Sequence, residues 1–580
     1  MSTKRKASNS QISPKKRLGI IDQNSAPSFL VPRKSVPPPQ GKTTDILIRL
    51  PFEIFIIVAS FLSRKSIENC VVVNQSWRLR FLANSTLWNK VSLKSEKNIE
   101  FRVFQDISNH IQDLRMHVGN TDFFLKALEK SNTASFSRLH SLLIKVPFQN
   151  KIQSDVQNLL SLFLAQVSIT LTNLALDVTW LPHPSITLGH ILKTFRSLYK
   201  LEYCANAYDG ILVKEDITTS VVLMSLSFKR SHIHKDQLKV LMEVSPNLKG
   251  IVLSWCEFDV LELLETCKCN LDVLAIGDPI RFKMAEKYVG YKENGLKLLA
   301  VNGTMEKRHL GDVLIKNQNS LRYLYLPLNQ HNILDVQDQE TLPTMSNLKF
   351  LSILSVTNKT PWPLVYHLLQ GSPNIKTFVF SDLATETIHE GSSMNDEFDS
   401  DDEIGGDEQQ QTINNDNNIA IDNVLRLDRF KELQIERSDI GSIGLSRLFH
   451  GYASLSNNDI SLNIIKLDLV HCTSSSKDPI ISILSIKTLE TLRIFGSLDL
   501  LVPRKKDVRN FMALIGKLPL LSHLHVENSR QLDDYCLEQL FNSISLNQVY
   551  FKRVSGYTKK GLKQLRSRNP RLHLAVLHLL

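Results

Sequence analysis

An L-x-x-L-x-L pattern recurs along most of this chain's 580 residues, and its period limits the fold more than any other feature. Units begin at Ile111, Leu139, Leu171, Leu198, Leu223, Leu248, Leu271, Leu296, Leu321, Leu348, Ile375, Phe430, Ile464, Leu489, Leu521 and Leu546. Most neighbouring starts lie 23 to 28 residues apart. A unit that short holds one strand and one helix and buries its apolar face only by stacking on its neighbours. Helix signals lie between the signatures, as in Asp236-Gln237-Leu238-Lys239-Val240-Leu241 ahead of Ser245-Pro246-Asn247. A stack absorbs this chain length by adding units, and it implies no small-molecule pocket.

The period and its chemistry resemble leucine-rich repeats. Cys256 and Cys472 stand where such repeats carry Asn or Cys to tie down the backbone turn, and most units lack the residue, so the repeats are degenerate. The resemblance implies an α/β solenoid, a horseshoe with parallel strands inside and helices outside.

The second constraint is the stretch 50–88. Leu50-Pro51-Phe52-Glu53-Ile54 reads as a helix start, because Pro51 suits the first turn and Glu53 complements the helix dipole. Ile54, Ile57, Val58, Phe61 and Leu62 recur at helical spacing, and Phe55, Ile56 and Ala59 widen the apolar surface beyond one stripe. Two further short helices fit 66–73 and 75–81, with Asn74 placed as a cap. A module of about forty residues has a marginal core, so its surplus apolar surface needs a neighbour or a partner.

In order and spacing, Leu50-Pro51, Glu53-Ile54, Ile57, Leu62, Val73, Trp77 and Leu87-Trp88 resemble the F-box. The last clear units, 521–569, resemble the cysteine-containing repeats common in F-box proteins. The resemblance implies a three-helix module that binds a Skp-family adaptor and, through it, the cullin and RING subunits of an SCF-type ubiquitin ligase. Adaptor contacts carried over are Leu50, Pro51, Ile54, Ile57, Leu62, Val73, Trp77 and Trp88. The chain is then a non-catalytic substrate receptor that raises the local concentration of activated ubiquitin beside its substrate. An adaptor-bound scaffold without ligase output is the alternative.

The expected division is a disordered basic tail at 1–44, the F-box at 45–93, repeats at 94–383, an acidic disordered insertion at 384–422 and repeats at 423–580. Lys4, Arg5, Lys6 and Lys15, Lys16, Arg17 in the tail resemble a bipartite nuclear import signal, the bland alternative being a soluble basic tail. Ser13 resembles a proline-directed kinase site and Ser400 an acidophilic one. The insertion contains Asp396, Glu397, Asp399, Asp401, Asp402, Glu403, Asp407 and Glu408, with no Lys or Arg among them.

Net charge is +11, and residues 1–49 carry ten basic residues against Asp22 and Asp45. Basic clusters near the end, Arg504-Lys505-Lys506, Lys552-Arg553 and Lys559-Lys560, have no interleaved aromatic platform, so a nucleic-acid role is not favoured. Solvated charge is the plain reading there, and an acidic or phosphorylated protein partner is the second. No apolar leader and no membrane span are expected, and seven scattered cysteines fit a reducing compartment in the nucleus or cytoplasm.

Residues flanking the second and third leucines point away from the core. In the middle units this row is apolar and includes Val252, Val273, Tyr323, Tyr325, Phe350 and Val379. It is either an exposed protein-binding strip or a face packed on another part of the chain. Cys267-Lys268-Cys269 lacks a complementary pair at zinc spacing, and His523 with His525 lacks a third ligand. No phosphate loop or nucleophile elbow occurs, and no cofactor or metal is expected.

Overall fold

The computed structural model describes residues 49–577 apart from a number of stretches, the longest being 178–186, 205–221, 278–293, 329–342, 383–430 and 449–463. The basic tail with its two Lys/Arg clusters and Ser13, the insertion with Ser400, and Cys256, Cys267 and Cys269 lie outside the described residues. Two compact units make up the chain, the first ending at Val58 and the second running from Ala59.

In the second unit the described residues form one sheet of eighteen strands, all parallel, each paired with the next in sequence. Each of the sixteen expected starts is followed, two residues on, by the first residue of a strand, from Ile111 and Asp113–His117 to Leu546 and Gln548–Lys552. The leucine pattern forces this register: in Asp113–His117, Leu114 and Met116 are buried while Arg115 and His117 are exposed. Two strands lie beyond the expected set, Lys90–Leu93 at one end and His573–Leu577 at the other. The first falls inside the range assigned to the N-terminal module, so the repeats begin earlier than expected.

A ladder of shared carbonyls runs along the sheet. The residue before a strand accepts two N–H groups from the next repeat: Asn89 O takes Gln112 N at 2.9 Å and Asp113 N at 2.8 Å, and Ser522 O takes Asn547 N and Gln548 N at 2.9 Å each. The same pair recurs at Gln112, His140, Thr172 and onward, so the backbone groups at these entry corners are satisfied by the neighbouring repeat. Helices such as Thr121–Thr133, Ser154–Val167 and Lys505–Ile515 return the chain between strands. Parallel strands require such crossovers.

At the exit corner the backbone turns left-handed. Arg437, His471, Asn528 and Arg553, each the residue after a strand, have φ between +47° and +54°, and Gly277 and Gly496 occupy the same place at +124° and +97°. The N–H groups of Arg437, His471, Asn528 and Arg553 reach the following repeat, as in His471 N to Phe495 O at 2.8 Å. Cys472 acts here as the sequence suggested: its thiol donates to Ile435 O at 3.2 Å, and burial pushes its pKa up to about 12. Gly496 combines a positive φ with a close approach, since a Cβ there would stand 2.6 Å from His471 Nδ1 and 3.0 Å from His471 Cα. Gly496→Ala is therefore expected to destabilise the chain by about 2 kcal/mol, read as a lower urea midpoint at unchanged slope.

Candidate docking surface

The N-terminal helices are α1 (Phe52–Ser60), α2 (Arg64–Val73), α3 (Gln75–Ala83) and the single turn α4 (Ser85–Trp88). Pro51 starts α1, where Phe55 N bonds Pro51 O at 3.0 Å. Ser63 caps α2 through Ser66 N, and Asn74 caps α3 through Trp77 N at 2.8 Å, the cap read from the sequence.

Within the first unit, α1 exposes Phe52, Ile54, Ile57 and Val58, with Ile54 at 45% and Ile57 at 54%. Pro51 is exposed and Leu50 half-buried, and the rings of Phe52 and Phe55 stack with centroids 6.1 Å apart. Within the second unit, α2 packs along α3 and buries Ile67, Val71, Phe81 and Leu82. Phe61, Val72, Val73 and Leu79 stay exposed, and Leu62 and Trp77 are half-buried. Phe52, Ile54, Ile57, Val58, Phe61, Val72, Val73 and Leu79 thus supply eight of the nineteen exposed large apolar side chains among the described residues. The other eleven are spread from Leu162 to Leu577, so the density is confined to one short segment.

Trp88 corrects the sequence reading. It was expected to touch an adaptor, yet it is fully buried, and its indole N–H donates to Phe81 O at 2.8 Å. The reason is register: Lys90 pairs with Asp113, so Trp88 occupies the first-leucine position that Ile111 holds in the next repeat. The spacing Trp88-x-x-Val91-x-Leu93 carried that signal. Arg64 reinforces the joint, with its guanidinium 4.5 Å from the Trp88 ring centroid, Nε 2.7 Å from Glu100 Oε1 and Nη1 2.9 Å from Leu87 O.

Of the two readings of the apolar row on the middle strands, the exposed binding strip is corrected and the packed face is favoured. Val252, Val273, Tyr323, Tyr325 and Val379 are buried and Phe350 is half-buried, so the strip is not an exposed binding surface. Parallel register sets Tyr323 opposite both Leu298 and Phe350, and the Tyr323 and Phe350 rings stack 3.9 Å apart at 4°. Cross-strand neighbours so aligned pack on one another.

Beyond this strip the same face is polar. His525 is half-buried between Phe495 and Tyr550, at 4.6 and 4.4 Å, and its Nε2 lies 3.0 Å from Glu527 Oε1. Burial lowers its pKa, against the opposing pull of Glu527. His523 is exposed, and among the described residues no three His, Cys, Asp or Glu side chains could hold a metal ion. No helix of the described residues is long and apolar enough to cross a membrane.

No family model matches the chain, and no curated protein does. Among solved structures, the chain is similar to one in the crystal structure of the Rad7 and Elc1 complex in yeast, at 14% identity and a TM-score of 0.32, covering 71% of this chain and 82% of that one. Likeness at that level adds nothing to what the strand register shows by itself.

Because Arg64 neutralises the buried Glu100 and caps the Leu87 carbonyl, Arg64→Ala should cost about 2–3 kcal/mol. A thermal melt should show the loss, and Arg64→Lys, which keeps charge but not the forked contacts, should recover only part of it.

Proposed function

We propose that this chain is the substrate-receptor subunit of an SCF-type ubiquitin ligase, holding a Skp-family adaptor through Leu50, Pro51, Ile54, Ile57, Leu62, Val73 and Trp77. The supporting observation is the density of exposed apolar side chains between Phe52 and Leu79, in a segment whose residues resemble the F-box. Folded chains cover apolar surface that dense with a partner. Trp88 has no part in the contact, being committed to the first repeat. The repeats carry the substrate on a surface other than the closed apolar row, and the chemistry of ubiquitin transfer belongs to other subunits.

Co-purification of the whole chain with a Skp-family adaptor tests this reading. Ile54→Asp with Ile57→Asp should weaken the adaptor at least about 100-fold, since each anchor contributes about 2 kcal/mol or more. Arg115→Glu, an exposed change on the sheet, should leave the affinity within about twofold and serves as the folded control. Equal adaptor binding by wild type and the double variant would overturn the assignment. Adaptor binding without ubiquitin transfer to any captured protein would favour the scaffold reading.

A further inference from the structure

Three basic side chains near the C-terminal end stand beside an apolar cleft, and among the described residues none of them forms an ion pair. The cleft, about 860 Å³, opens between the helices Asp478–Leu484 and Lys505–Ile515. Its floor is Ile480, Leu484, Leu501, Val502 and Phe511, all buried, and Ile481, 57% exposed, forms one wall. Arg504, Lys506 and Lys517 stand exposed around it, with Asp507 and Asn510 also on the lining.

The neighbouring cations are already in use. Asp533 caps the next helix through Cys536 N at 3.2 Å and takes Lys505 Nζ at 3.2 Å and Arg509 Nε at 3.0 Å. Desolvation pushes the Asp533 carboxyl up, but these hydrogen bonds outweigh it and hold the group well below the usual carboxylate range. Lys505 and Arg509 are therefore structural. Among the described residues no ion pair engages Arg504, Lys506 or Lys517. Basic residues of one short stretch have divided: some bind the next repeat, and others face the cleft.

We infer that this cleft docks an acidic peptide segment of a partner protein, with one or two large apolar side chains seated between the helices and carboxylates laid on Arg504, Lys506 and Lys517. The volume suits a few side chains rather than a folded surface. Among the described residues three cations stand against one lining carboxylate, that of Asp507, and they set the charge of the ligand. Among the described lining residues the one aromatic ring, Phe511, is buried, so they offer no stacking platform for nucleotide bases.

Fluorescence anisotropy on the full chain provides the test. The probe is a labelled twelve-residue peptide with two leucines one helical turn apart among aspartates and glutamates. It should bind with micromolar affinity that falls as salt rises. Arg504→Glu with Lys506→Glu should weaken it at least about tenfold, and Ile481→Asp by a similar factor. Arg504→Lys with Lys506→Arg keeps both charges and should bind like wild type, as should a Lys239→Glu control. A matched peptide with serines for leucines should not bind. Absence of binding at about 1 mM, or equal binding by the charge-reversed variant, would overturn the inference. So would binding seen only after removal of 384–422, since the chain's own acidic segment would then be the occupant.

Discussion

The burial of Trp88 is the constraint on which the N-terminal part of the second unit depends. By standing at the first-leucine position of the first repeat, it converts the end of a helical segment into the start of a sheet. Its indole proton is satisfied by the last turn of α3, so the large ring costs no unpaired donor. Arg64 covers one side of the ring and reaches Glu100 and the Leu87 carbonyl, so α2 and α3 are held against the first repeat by directional contacts as well as apolar area. From Asn89 onward the strands form a ladder in which each repeat satisfies the backbone of its neighbour.

That division of labour explains where apolar surface is left over. Ile67, Val71, Phe81 and Leu82 are consumed within the second unit, and Val72, Val73 and Leu79 are not. On the middle strands the opposite holds: the row from Val252 to Val379 is apolar but buried, so its hydrophobicity is already used. Apolar composition alone does not mark a binding surface. Exposure separates the two segments: the N-terminal helices leave apolar side chains in water and the middle strands do not.

The strand register was legible because it is local: one leucine spacing decides which side chains enter the core, and all sixteen starts hold. The last strand was not, because Arg571 stands at the first-leucine place, whereas Trp88 and Val91 did mark the lead into the first one even though Trp88 replaces leucine there. Side-chain direction on the middle strands was read correctly, but burial there depends on what lies across from each residue, which no local pattern encodes. The Asn74 cap was visible, being three residues from its target, whereas Arg64 meets Glu100 thirty-six residues away. For the same reason the sequence showed a basic run at 504–506 without showing that Lys505 is committed to Asp533 and its neighbours are not.

Hydrogen exchange of the full chain with and without a stoichiometric Skp-family adaptor tests the central claim most directly. Protection should rise along the peptides covering 50–79, while the middle strands from Gly250 to Asp382 exchange as before, because their apolar row is already closed. New protection on those strands with none at 50–79 would contradict the account.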